Sequence, residues 1–337
     1  MLQTDIRILD LEPIFEREKL RTPLKFGTGQ VTECTSVKVR ARVENRAGAV
    51  AEGWGQILLG VLWAFPSTQI SYWRRDEAMR RLCSLICRAL GDVSGFHHPL
   101  DLYLAFEPEL GNLSQQTEHE MSLGVSIPPL ASLVCGSPAD AALHDAFGVV
   151  NDVSSYKGCG PEFISHDLST YLGQTFRDKF VTDYIRDHYR GTLPIFHLVG
   201  GADKLRENAL DDADPQDGLP VSLEAWIERD GVYCFKVKLR GTDVDWDVNR
   251  TVEVAEVARE TLARRGREQF FLSTDANELC PDAETVVKYL MKLREASPMA
   301  FEHLLYVEQP TERDLSAHRS DMESVAANKP VVPDEGI

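Results

Sequence analysis

The second half of the chain repeats a short pattern that few folds accommodate. Five apolar runs, LPIFHLVG, YCFKVKL, FFLSTDAN, LLYVEQP and KPVVPDEG, follow one another from Leu193. Helical patterns separate the later ones. VNRTVEVAEVARETLARRG ends at Gly266, PDAETVVKYLMKLREA has Pro281 suited to a first helical turn, and SAHRSDMESVAAN follows. Short buried strands alternating with helices specify βαβ units and a parallel sheet. The polar stretch ADKLRENALDDADPQDGLPV, within 201–220, is too acidic for a core and reads as a surface insertion.

The last four runs end in charged groups. Lys236 and Lys238 form K-x-K, Asp275 with Asn277 closes the next run, Glu308 the next, and Asp334 with Glu335 the last. The steps from Lys238 to Asp275, Glu308 and Asp334 are 37, 33 and 26 residues. A (β/α)₈ barrel uses roughly 31 residues per unit and builds its active site at the carboxyl ends of its strands. An isolated Asp at a strand end commonly caps the next helix. One acid per unit, always at the same end, instead suggests a shared site.

Three carboxylates meeting there repel unless a cation lies among them. Oxygen-only ligands favour a hard ion, so Mg²⁺ is the expected cofactor. Period-2 spacing aims both lysines to one side of their strand. A lysine beside a cation and a bound carboxylate suits abstraction of the proton next to that carboxylate. The expectation is that each lysine, with the cation, lowers the pKa of the other.

The first 60 residues read as β-structure. TSVKVRARV, from Thr35 to Val43, alternates polar and apolar residues, ENRAG is a turn, and VAEGWGQ returns. RTPLKFGTGQVTE reads as a mobile loop. Residues 71–90 form a helix with Met79, Leu82, Leu85, Ile86 and Leu90 on one stripe. A second helix is expected from Pro138, and a polar, aromatic-rich one from Leu168 to Tyr189.

Composition narrows the function classes. There are 36 Lys plus Arg against 53 Asp plus Glu, a net charge of −17, which argues against nucleic acid as a partner. The longest apolar run, Ile57 to Phe65, is far short of the roughly 20 residues that span a bilayer, so no membrane partner is expected. The N-terminus carries charges where a secretory signal needs an apolar core, and a cytoplasmic protein is expected. Seven cysteines include no C-x-x-C pair and read as reduced, with Cys83 and Cys87 as buried thiols. No dinucleotide or P-loop glycine motif is present.

In order, FKVKL, TDAN, VEQP and VPDEG resemble the enolase superfamily, in its mandelate racemase/muconate lactonizing enzyme branch, although the last motif reads DEG where the family often has DES. ADAALHDAFG resembles the stretch before the barrel, and RTPLKFG and AEGWGQ resemble the capping domain. The resemblance implies an α/β chain: an α+β capping domain over 1–135, connecting helices and an insertion over 136–192, and the first five strands of a TIM-type (β/α) barrel over 193–337. From Leu193 about 145 residues remain, roughly 100 short of a full barrel. The expectation is therefore a C-terminally incomplete barrel, part of a longer chain; a truncated, partner-dependent or non-catalytic scaffold is the alternative.

The same resemblance implies Asp275, Glu308 and Asp334 as Mg²⁺ ligands, Lys238 as the base and Lys236 as its electrostatic partner. Asn277 and Glu335 are implied as supporting groups. Loops around Arg21 to Gln30, with Lys25, and Trp54 to Leu58 would close over the barrel mouth and set specificity. The implied enzyme is an isomerase or lyase acting on a small-molecule carboxylate by cycloisomerization, racemization or epimerization, or dehydration. K-x-K with EQP favours the muconate-lactonizing-like subgroup over an acid-sugar dehydratase, and a homo-oligomer is expected by analogy.

Overall fold

The computed structural model describes residues 2–26, 29–316 and 321–336. The chain forms two compact units. The first comprises residues 1–19 and 33–190, and the second 20–32 and 191–337.

An antiparallel sheet has β1 (Ile6–Phe26), β2 (Gly29–Asn45) and β3 (Val50–Leu58) in that order; residues 20–32 of β1 and β2 fall in the second unit and the rest of the sheet in the first. Alternation along β2 buries Val37, Val39, Ala41 and Val43 completely. The stretch expected as a loop is mostly strand: β1 runs to Phe26 and β2 starts at Gly29, while Gly27 and Thr28 lie outside the described residues. The helices are α1 (Val61–Ala64), α2 (Tyr72–Gly91), α3 (Pro99–Phe106), α4 (Glu109–Met121) and α5 (Pro129–Asn151). The Ser71 side chain caps α2 by accepting from the Arg74 N–H, and Met79, Leu82, Ile86 and Leu90 form its buried stripe.

α5 begins nine residues before the expected Ser-Pro start and holds Pro138 in its interior. The ring removes the N–H that would reach the Val134 carbonyl. The Ser137 hydroxyl donates to that carbonyl instead, at 3.0 Å, so the helix continues. The boundary expected at 135/136 therefore falls inside a helix. α5 packs on β3 backbone to backbone. A Cβ at Gly53 would lie 2.1 Å from the Ala146 nitrogen, and one at Gly55 2.0 Å from the Pro138 oxygen.

The helix expected over 168–189 is absent. Only α6 (Ser169–Leu172) and isolated 3₁₀ turns occur there. Gly173 and Asp178 adopt φ of +89° and +58°, which stops helix propagation, and the Asp167 carboxylate accepts from the N–H groups of Ser169 and Asp178.

His98 caps α3. Its Nδ1 accepts from the Leu100 N–H at 3.2 Å and its Nε2 lies 3.0 Å from the Gly158 carbonyl, so Nε2 carries the proton. Burial pushes its pKa down to about 4, against the pull of the Gly158 bond. Between about pH 6.5 and 4 the unfolded chain binds a proton that the folded chain excludes. Stability therefore falls as pH drops through that window, by on the order of 3 kcal/mol. Urea unfolding at pH 7 and 4.5 should show this loss, and His98→Asn, which keeps a capping side chain, should reduce it. An identical loss in the variant would contradict the assignment.

The second unit carries the parallel sheet. Its strands β4 (Phe196–Val199), β5 (Cys234–Lys238), β6 (Phe271–Asp275), β7 (Leu304–Glu308) and β8 (Val331–Val332) lie in chain order. All four neighbouring pairs are parallel. Helices α7 (Leu223–Asp230), α8 (Val244–Arg264), α9 (Ala283–Ala296), α10 (Pro298–His303) and α11 (Met322–Ala326) alternate with them. Pro281 precedes the cap of α9, which is Asp282, instead of opening the helix. Phe235, Val237 and Leu272 are fully buried under Val254, Ala258 and Leu290 of the helices. Five strands of a β/α barrel are thus present among the described residues.

All seven cysteines are free thiols, and Cys83 and Cys87 lie in the core of the first unit. No helix among the described residues is long and apolar enough to cross a membrane.

Candidate active site

Parallel pairing fixes which strand ends meet. Lys238 is in register with Asp275, and Asp275 with Glu308. These side chains therefore share one face on three adjacent strands, at their carboxyl ends. Lys238 Nζ lies 2.5 Å from Asp275 Oδ2. Lys236 Nζ bridges two acids, 2.9 Å from Asp275 Oδ2 and 2.5 Å from Glu308 Oε1. Asp275 is fully buried, and its Oδ1 accepts from the Asn277 N–H at 2.8 Å.

Charge decides the protonation states. Burial alone would raise the Asp275 carboxyl, but Lys238 and Lys236 outweigh it and hold Asp275 below the ordinary carboxylate range. Burial works to lower Lys236, but Asp275 and Glu308 outweigh it and raise that ammonium well above its ordinary value.

Among the described residues no three His, Cys, Asp or Glu side chains are grouped closely enough to hold an ion. The Lys236 ammonium bridges the acids of β6 and β7. Asp334 is half-buried, and its N–H donates to Gln309 Oε1 at 3.0 Å. Glu335 is the buried acid of the pair, 2 % exposed, and neither of its carboxylate oxygens has a hydrogen-bond partner. Burial first, then the facing carboxylates of Asp334, Glu278 and Asp275, push it up to about 7. An all-oxygen donor set with an uncompensated buried carboxylate fits a hard divalent cation.

Two supporting residues were missing from the expected site. Gln309, the middle of EQP, adopts φ of +29° and is 5 % exposed. Its Oε1 accepts from the N–H groups of Asp334 and Gly336, and its Nε2 donates to the Thr311 carbonyl, so it fixes the segment that carries Asp334 and Glu335. Asp247 accepts from the N–H groups of Arg240 and Gly241 and so folds the turn just after Lys238. Burial pushes its carboxyl up to about 6. EQP was visible in the sequence, whereas Asp247 sits in a helical pattern with nothing to distinguish it.

The expected specificity residues divide. Arg21 belongs to the second unit and is bound to Asp217 through Nε at 2.6 Å and Nη2 at 2.7 Å. The carbonyls of Leu219 and Pro220 take further Arg21 donors, at 2.9 Å each. The Lys25 side chain lies outside the described residues. Trp54 belongs to the first unit; it is 50 % exposed on β3, and its backbone N–H donates to Asp145 Oδ2 at 2.9 Å.

Solved structures share this architecture. The L-Ala-D/L-Glu epimerase from Bacillus subtilis matches over 98% of this chain and 68% of its own, with a TM-score of 0.58 and 19% identity. The dipeptide epimerase from Methylococcus capsulatus, complexed with Mg and the dipeptide L-Arg-D-Lys, covers 98% of this chain and 69% of its own at TM-score 0.55 and 17% identity. A mandelate racemase/muconate lactonizing protein from Herpetosiphon aurantiacus covers 100% and 69% at TM-score 0.52 and 16% identity. This chain has the fold of these proteins. No family model matches the sequence. No curated protein matches it either. In that shared fold the antiparallel sheet precedes the β/α unit that holds β4 to β8.

Proposed function

We propose that the second unit carries a site for metal-assisted abstraction of the proton next to a substrate carboxylate, leading to racemization or epimerization, cycloisomerization or dehydration. The observation that carries this reading is the pair of lysines held against Asp275 and Glu308 at the carboxyl ends of three adjacent strands. Asp275, Glu308 and Asp334 are the proposed ligands of Mg²⁺. When bound, the ion supplies positive charge for the substrate carboxylate. Lys238 is the proposed base, and Lys236 supplies a second positive charge beside it. Asn277 orients Asp275 through its backbone N–H, and Gln309 holds Asp334 in place. The substrate is a small-molecule carboxylate, and the relatives' dipeptide ligands fit that class.

Calorimetric titration with Mg²⁺ tests the ligand set. Asp275→Asn and Glu308→Gln should each weaken Mg²⁺ binding by at least about tenfold, in line with the loss of a direct anionic ligand. Unchanged affinity in both variants would remove these residues from the metal site.

A further inference from the structure

Among the described residues six other than glycine take positive φ, and three of them stand in the loops that follow β6 and β7. Asn277 and Glu278, at φ of +46° and +68°, come just after Asp275, and Gln309, at +29°, comes just after Glu308. Asn tolerates this region, but Glu and Gln enter it at a cost and stay only where their surroundings hold them. Glycine would adopt it freely. Long polar side chains at Glu278 and Gln309 therefore point to a task for the side chains themselves.

Glu278 meets Arg313. The guanidinium donates from Nε to Glu278 Oε2 at 2.6 Å and from Nη2 to Oε1 at 2.5 Å, and the Arg313 backbone N–H adds a bond to Oε2 at 3.1 Å. Both side chains are largely buried. Taking two charges out of water costs about as much as their attraction returns, so such a pair is weak evidence for stability. It does supply a fixed geometry, because the planar fork fits a carboxylate in one orientation.

That geometry ties three strand ends together within the second unit. Beside the fork, the Glu278 N–H donates to the Gln309 carbonyl and the Cys280 N–H to the Pro310 carbonyl, each at 3.0 Å. The Gln309 N–H donates to the Val332 carbonyl at 2.9 Å, and its Oε1 holds the N–H groups of Asp334 and Gly336. We infer that the Glu278–Arg313 fork is a clamp that sets the mutual placement of the Asp275, Glu308 and Asp334 carboxylates, and through it the affinity for a divalent cation. Glu278 and Arg313 are positioning residues, acting through the loops and not on the substrate. This inference rests on the metal-assisted reading above. Mg²⁺ demands near-ideal octahedral geometry, so a small displacement of one ligand lowers its affinity.

Removing one partner alone would also change the charge near the cation, so the test keeps charge constant. It is calorimetric Mg²⁺ titration of the full chain, at a temperature where circular dichroism shows each variant folded. Glu278→Gln together with Arg313→Gln removes the fork and leaves the net charge unchanged. The pair of substitutions should weaken Mg²⁺ binding by about 10- to 100-fold, the usual cost of losing partners that orient metal ligands. Arg313→Lys, which keeps the charge and one contact, should fall between that variant and the parent. If the double variant does not fold, Glu278→Asp, which keeps the charge but draws the carboxylate back by a methylene, should weaken binding in the same direction. A pair that served stability alone would lower the urea midpoint and leave Mg²⁺ affinity of the folded protein within about twofold of the parent. That result, or tighter binding, overturns the clamp alone. A parent that binds no Mg²⁺, or whose binding ignores Asp275→Asn and Glu308→Gln, overturns the metal-assisted reading and the clamp with it.

Discussion

Lys238→Ala should reduce exchange of a substrate's α-proton with solvent deuterium by about 10²- to 10⁴-fold, the usual contribution of a positioned general base. Mg²⁺ affinity should stay within a few-fold of the parent. The expectation follows from geometry: Lys238 is 6 % exposed, and its Nζ lies 2.5 Å from Asp275 Oδ2. Removing it leaves Asp275 bound to Lys236 at 2.9 Å and to the Asn277 N–H, so the carboxylate keeps partners that hold it in place. Circular dichroism checks that the variant is folded. Undiminished exchange in a folded variant would take Lys238 out of the base role.

Gly55→Ala should produce one of the largest losses of stability of any single methyl group added to the first unit. The new Cβ would stand 2.0 Å from the Pro138 carbonyl oxygen and 2.7 Å from the Ala142 nitrogen, both main-chain atoms of α5. No rotamer change relieves a clash with backbone, so β3 and α5 must separate. The expected cost is about 3 kcal/mol or more, at the upper end for overpacking. Denaturant unfolding read by far-ultraviolet circular dichroism measures it. A change below about 0.5 kcal/mol, the scale of ordinary surface substitutions, would mean that the two elements do not meet backbone to backbone.

The barrel strands were legible because each combines a short apolar run with a polar terminus. All five observed strands fall within the runs read from the sequence, and the helices fall between them. Local signals misled where a distant partner changes their meaning. Ser137-Pro138 reads as a helix start until the Ser137 hydroxyl is seen to satisfy the carbonyl that Pro138 leaves open. The 168–189 stretch has helical composition, but Gly173 and Asp178 turn it through positive φ.

The same limit applies to the site. The spacing of Lys236, Lys238, Asp275 and Glu308 was enough to place them on adjacent strands. It did not reveal that lysines long enough to reach across neighbouring strands would ion-pair with the acids. Nor did it reveal that the buried carboxylate of the last motif is Glu335 instead of Asp334. Arg21 read as part of a specificity loop, but its partner, Asp217, stands 196 residues away and has no signature in sequence.

The most direct measurement is deuterium incorporation at the α-carbon of N-acylated amino acids incubated with the parent chain in D₂O. It is followed by nuclear magnetic resonance, once with Mg²⁺ and once with a chelator. The account predicts incorporation with Mg²⁺ and its loss on chelation. Incorporation no faster than in buffer alone, with Mg²⁺ bound, would contradict the proton-abstraction site.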